Sequence, residues 1–448
     1  MTDIFGVESE IAKRVAESLQ AKLTGREEQA LAAKPTNNPE AYDAYLRGLA
    51  FEARSTGPTF SRTPAWKAAG FYEQAVRLDP KFALAWSRLS RADAKLYFNR
   101  DTDAALAARG EAAKRALENA QKLDPNSPET LLALGYYQYW VLSDYRTAKA
   151  TFGRVSKILP GNSEVPRALG RVARREGRWD ESVAYHEQAL ALDPRNVDLR
   201  ADAAETYINL RQFPAALKLY DRVLDITPND PESMAAKASI FQAQGNLQEA
   251  ARLLSEINGQ TPSEDSLLIK ITQLKLERNY GEAVRLLQAR LAQFHFDYLG
   301  EKGRAQVALA FAQRLAGDTA GAKVTAEQAH NTLEQLNRDQ PDNWGLAATL
   351  SQAYAAMGEK ESALKEAERA IMLSPTAKDA VEGPAMEENL ALVQTMFGEN
   401  SHAISTLTQL LQMPYRSPIT RARLRLDPVW DPLRADPAFQ KLCEEKQK

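Results

Sequence analysis

This chain of 448 residues has one cysteine, Cys443, and four histidines. One thiol closes no disulfide within the chain and supplies no cysteine-based metal site. Cys443 is expected to pack as a small residue on the last helix. His186, His295, His330 and His402 lie far apart in sequence. A zinc centre needs three or four converging ligands, and distant units of the chain are not expected to touch, so no metal is expected. No apolar run reaches the roughly 20 residues of a membrane helix. The first ten residues carry Asp3, Glu8 and Glu10 without the basic-then-apolar order of a secretory leader. The expectation is a soluble, cytoplasmic protein. Neither sign of charge dominates: 57 Lys and Arg stand against 59 Asp and Glu. That balance gives no global pull toward nucleic acid or an anionic membrane. Gly-rich nucleotide loops, nucleophile elbows and Ser-His-acid groupings are also missing. No catalytic residue and no cofactor are expected, and the chain reads as a non-enzyme.

What is present is a period. Leu78-Asp79-Pro80 returns as Leu123-Asp124-Pro125, Ile158-Leu159-Pro160, Leu192-Asp193-Pro194, Ile226-Thr227-Pro228 and Leu373-Ser374-Pro375. From Pro125 the steps are 35, 34 and 34 residues, and Pro341 to Pro375 is again 34. Such a period means stacked helical hairpins, each too small to bury its own apolar face. A stack also escapes the size limit of a single globular core, because it grows in one dimension.

The unit from Val197 to Pro228 shows the plan. Tyr207 falls in the first helix, Arg211 and Gln212 at the turn, and Ala216, Tyr220 and Val223 share one face of the second helix. Units from Ser163, Pro231 and Trp344 repeat it, with Gly177, Gly245 and Gly358 closing the first helix. Less regular units start near Glu40, Phe82, Glu129, Glu264, Glu301 and Pro384, giving about ten hairpins. The first has a long loop at 55–64 and the second an insertion near 99–105. These spacings resemble the tetratricopeptide repeat. The resemblance implies an all-α, right-handed superhelical solenoid with helix A of each hairpin lining a concave groove.

The ends suggest more. Ile11, Val15, Leu19 and Leu23 make an apolar stripe on one N-terminal helix. Val429, Trp430, Leu433 and Phe439 among three prolines supply a lid for the last hairpin. Asp3 to Ala12 and Pro39 to Gly48 look like the junction between a TolB-like domain and a tetratricopeptide array in bacterial signalling proteins. That resemblance implies signal transduction, with a winged-helix, nucleotide cyclase or Ser/Thr kinase output module that the chain itself does not contain. The expected organisation is a lead-in at 1–38, hairpins one to seven at 39–296, hairpins eight to ten at 297–414 and a cap at 415–448. The boundary rests on Phe294, His295, Phe296 and Tyr298, which break the repeat pattern.

Function then rests on the groove. Arg167, Arg171, Arg174 and Arg175 stack along one helix A. The preceding helices A offer Tyr136, Tyr137, Tyr139 and Trp140, then Arg88 and Arg91. A basic ladder beside aromatics suits a protein or acidic peptide, since arginine grips carboxylates and tyrosine gives rigid contact area. Glu164, Glu176 and Glu181 are available to neutralise part of it. Chaperone-tail binding is not expected, because Ala201, Glu205, Ala235 and Ser239 occupy the positions a carboxylate clamp needs. His186 reads as a packed residue of helix B, at the place of Tyr220 in the next unit. The expected function is a partner-binding or sensory scaffold. The alternatives are the regulatory half of a transcription factor or cyclase, and a self-assembly module as monomer or homodimer.

Overall fold

The computed structural model describes residues 35–55, 62–98, 104–296 and 298–444, together with Arg14. The N-terminal helix, part of the first inter-helix loop and most of the insertion after Asn99 lie outside the described residues. Among the described residues, twenty helices pair as ten antiparallel hairpins. They are α1 (Pro39–Ser55) with α2 (Arg62–Leu78), α3 (Ala83–Phe98) with α4 (Ala104–Leu123), and α5 (Pro128–Trp140) with α6 (Tyr145–Ile158). Next come α7 (Glu164–Arg175) with α8 (Trp179–Leu192), α9 (Val197–Asn209) with α10 (Phe213–Ile226), and α11 (Pro231–Gln244) with the short α12 (Leu247–Leu253). The series ends with α13 (Glu264–Leu276) and α14 (Tyr280–Gln293), α15 (Leu299–Leu315) and α16 (Thr319–Asp339), α17 (Trp344–Met357) and α18 (Lys360–Leu373), and α19 (Gly383–Met396) and α20 (Asn400–Leu410). A C-terminal strap follows: α21 (Arg421–Leu426), a 3₁₀ turn (Pro428–Leu433) and α22 (Pro437–Glu444). The fold is an all-α solenoid of paired helices.

Local chemistry starts and stops each helix. The Ser127 hydroxyl accepts from the Thr130 amide at 3.2 Å, with Pro128 at the first helical position. Asp230 and Pro231 repeat the device, the Ser233 amide donating to the Asp230 carboxylate at 2.8 Å. A side-chain acceptor and a proline together deal with amides the helix cannot pair. At the other end the recurring proline ends helix B. The aliphatic residue before it is a boundary residue more than a core one: Leu78, Leu123, Ile158, Leu192 and Ile226 are each at least 40% exposed.

Each helix B buries small and aromatic residues against its own helix A and the next one. Phe152 and Val155 of α6 sit with Leu131 and Tyr136 of α5 and with Val165, Leu169 and Val172 of α7. A Cβ added to Gly135 would lie 2.5 Å from the Phe152 ring, so α5 and α6 meet where only glycine fits. His186 on α8 is 2% exposed and abuts Gly170 in the same way. Cys443 is buried on α22.

The expectation that distant units do not touch is wrong. The Arg175 Nη1 donates to Asp379 at 2.7 Å across 204 residues, α16 touches α4, and Tyr298 packs against the cluster of hairpins 1 and 2. The spacing of repeats describes contacts between neighbours and says nothing about where the superhelix meets itself.

Candidate functional site

The concave faces of hairpins 2 to 7 and the strap enclose a cavity of about 550 Å³. Its floor is aromatic. Phe98, Tyr139 and Trp140 line it, with Tyr139 and Trp140 held at 6.4 Å in an edge arrangement. Its wall is a basic ladder on α7, where Arg167, Arg171, Arg174 and Arg175 all face the cavity. The rest of the wall comes from the helices A that follow and from Glu382, Arg416 and Arg423.

Of the ten residues singled out in the sequence, six line this cavity: Tyr139, Trp140 and the four α7 arginines. The other four do not line it. Tyr136 is buried and stacks on Trp140 at 4.2 Å. Tyr137 is half-buried against the same cluster. Arg91 is buried, pairs with Glu164 and lies 5.0 Å over the Tyr136 ring. Arg88 reaches Glu52 at 3.3 Å.

The α7 arginines are internally partnered to unequal degrees. Arg171 Nη2 donates to both carboxylate oxygens of Asp202 at 2.8 Å, and Arg167 bonds the same carboxylate. Burial alone would raise the Asp202 pKa, but the two guanidiniums override it and hold the carboxyl far below its ordinary range. Two cations thus share one anion. Lys95 lines the same cavity. Burial first, then the charges of Arg171 and Arg167, pull its pKa down to about 8. Arg174 is matched by Glu205 at 3.1 Å. Arg175 is matched twice, by Asp379 at 2.7 Å and Glu382 at 3.2 Å. Arg167 and Arg171 therefore share one acid while Arg174 and Arg175 have their own, and Arg175 sits on the aromatic floor, 5.3 Å over the Phe98 ring with its Nε donating to the Tyr139 hydroxyl at 3.3 Å.

Sequence reasoning missed Lys95, Phe98, Asp202 and Arg416. Lys95 carried a signal, since it continues Arg88 and Arg91 along one helix face at intervals of three and four. Asp202 carried none, because an acid on a helix A usually faces solvent. The acid pairing with the groove arginines at 167 and 171 is Asp202, while Glu164 serves Arg91 and Glu181 bonds Lys149 and Arg178. Among the described residues no group of histidine, cysteine and acid is placed to hold a metal, and no helix is long and apolar enough to cross a membrane.

The comparisons agree with this architecture. The tetratricopeptide repeat pattern matches residues 173–240 and again residues 346–376. Cellulose synthase operon protein C of Pseudomonas fluorescens is 22% identical over 372 residues, 81% of this chain and 28% of that protein. A tetratricopeptide repeat-containing protein of Pseudomonas aeruginosa is 29% identical over 140 residues, 31% of this chain and 23% of its own length. The chain thus spans about a quarter of the length of these relatives. A solved tetratricopeptide repeat protein from Parabacteroides merdae is 19% identical, with a TM-score of 0.41, over 60% of this chain and 98% of that one. The matched segments fall on hairpins 4 to 6 and on hairpin 9, so the chain carries tetratricopeptide repeats within an all-α solenoid of paired helices.

Proposed function

We propose that this chain is a non-enzymatic interaction scaffold that takes an acidic segment of a partner protein into the concave cavity. The observation carrying the reading is the row of guanidiniums on α7, where Arg167 and Arg171 share the single carboxylate of Asp202, in a cavity that Lys95, Phe98, Tyr139 and Trp140 also line. A carboxylate entering there meets desolvated cations without having to order them first, and an apolar or aromatic neighbour finds a rigid floor. Nucleic acid fits less well. The basic patch is short, and acids including Glu205, Glu232 and Asp265 line the same cavity.

The test uses a fluorescent, glutamate-rich peptide with one tryptophan. Lys95→Gln is the informative variant, because it leaves every Asp202 ion pair in place. Capture should weaken by about fivefold to tenfold, the worth of one charge-assisted contact, with thermal unfolding unchanged. Capture should also weaken as pH rises through about 8, where Lys95 loses its proton. Equal affinity of wild type and Lys95→Gln rejects the reading. Reversing Arg171 to glutamate is a poor test, because it would leave a second carboxylate against buried Asp202.

The finer setting rests on the termini. Their likeness to TolB-like junctions supports a sensory or partner-binding region of a bacterial signalling protein, acting in the cytoplasm. The coding sequence around this chain tests it: no output module in the same reading frame removes that setting.

A further inference from the structure

Each of the described turns, those of hairpins 3 to 10, holds one residue in the left-handed region, which in hairpin 3 is Ser143 (φ 51°). Glycine takes that place at Gly177, Gly245, Gly317, Gly358 and Gly398. In hairpins 5 and 7 it is held by Arg211 (φ 56°) and Arg278 (φ 58°). A Cβ is strained there, and an arginine at such a place asks for a reason. In both cases the side chain grips the C-terminal strap or the segment leading into it. The Arg211 guanidinium donates to the carbonyl of Leu410 at the end of α20 and to those of Met413 and Ile419 in the segment leading into the strap, at 2.8, 2.8 and 3.1 Å. Arg278 makes a two-pronged pair with Asp431 at 2.6 and 2.9 Å.

These two belong to a continuous seam. Starting at hairpin 4, Arg175 binds Asp379 and Glu382, and the Ala380 amide donates to the Arg175 carbonyl at 2.8 Å. At hairpin 5 Arg211 holds residues 410–419. At hairpin 6 the Thr420 hydroxyl donates to the Ala243 carbonyl at 2.6 Å. At hairpin 7 Lys275 meets Asp427 at 2.9 Å before Arg278 meets Asp431. The segment 379–431, which ends in the strap, thus runs in step with the turns of four successive hairpins. Among the described residues no apolar cluster joins hairpins 4 to 7 to the segment 379–443; the strap's own apolar side chains, Trp430, Leu433 and Phe439, pack on hairpin 10. Small polar interfaces within a chain are the ones that move. The seam is tighter at its start than at its end, the Arg175 side chain being 10% exposed and that of Arg278 47%. Its middle forms part of the cavity wall through Arg416, Ser417 and Pro418.

We propose that the strap, with the segment 411–420 that leads into it, is a releasable latch on the cavity: it detaches from hairpins 5 to 7 while staying packed on hairpin 10, and so governs how a partner segment enters. The gating role rests on the reading of the cavity given above. The clean variants are Arg211→Gly and Arg278→Gly, which keep the turns at ease while removing the grip. Hydrogen exchange on the full chain reads residues 411–420 apart from the helices. In Arg211→Gly those amides should exchange about tenfold faster, with α9, α10, α19 and α20 at wild-type rates, as expected of sub-global opening. Arg278→Gly should do the same for 427–433, and about 0.5 M salt should move wild type in the same direction. Wild-type exchange at 411–420 in Arg211→Gly overturns the latch, as does a rise shared by those four helices. The glutamate-rich peptide separates the two readings. Binding at one rate to wild type and Arg211→Gly, with strap exchange unchanged, sinks the latch and leaves the cavity intact. Faster strap exchange with no peptide bound by either protein keeps the latch and sinks the cavity reading.

Discussion

Hairpins 3 and 4 meet each other through Phe152, Val155, Val165, Leu169 and Val172, whereas they meet the segment entering hairpin 10 through Tyr145 and Arg175 against Asp379 and Glu382. The first contact joins neighbours in sequence and is apolar. The second joins residues some 200 positions apart and is polar. Apolar contact scales with buried area and tolerates changes of salt. A polar seam has little net stability, because each ion is first stripped of water. What it supplies is geometry, since carboxylate and guanidinium meet in one arrangement only. The stack is therefore held together by its spine, and its closure is set by its seam.

The comparison can be broken at several points. Phe152→Ala should cost most. Phe152 is fully buried between two hairpins, and truncation of such a ring costs about 3–5 kcal/mol. Urea unfolding should show the loss in hairpins 3 and 4, with strap exchange near its wild-type rate. A loss confined to the strap would mean that spine and seam are not separate. His186→Phe comes next. Burial pushes the imidazole pKa from its usual 6.5 down to about 3, and neither ring nitrogen has a hydrogen-bond partner among the described residues. Below pH 6.5 the unfolded chain takes up a proton that the folded chain refuses. Stability is complete above that pH and falls as pH drops, by about 2 kcal/mol at pH 5. The phenylalanine variant should lose that slope, and an unchanged pH profile of unfolding would refute the assignment. Arg278→Ala should cost least. The Arg278–Asp431 pair is half exposed, and such pairs contribute about 0–1 kcal/mol. Its effect should show in strap exchange and scarcely in the unfolding midpoint. A shift as large as that of Phe152→Ala would make the seam part of the spine.

Much of the candidate site was legible because it obeys local rules. The α7 arginines and the aromatic pair Tyr139 and Trp140 follow from helical spacing alone, and so does the core place of His186. Tyr136 and Arg91 were read as groove residues on the same spacing, yet they lie buried in the stack, because a helix that contacts two neighbours has little face left to present. Asp202 and Lys95 complete the electrostatics, and their importance comes from what stands across the cavity.

The ten hairpins, their caps and their closing prolines were determined by the sequence by itself, because each depends on contacts within about 34 residues and so leaves a period that can be counted. The seam from Arg175 to Asp431 was decided by the tertiary structure alone. Its partners are ordinary polar residues with no common spacing, brought together by the summed curvature of every intervening hairpin. The trace it leaves in the chain is the arginine at 211 and at 278, where five of the described turns hold glycine.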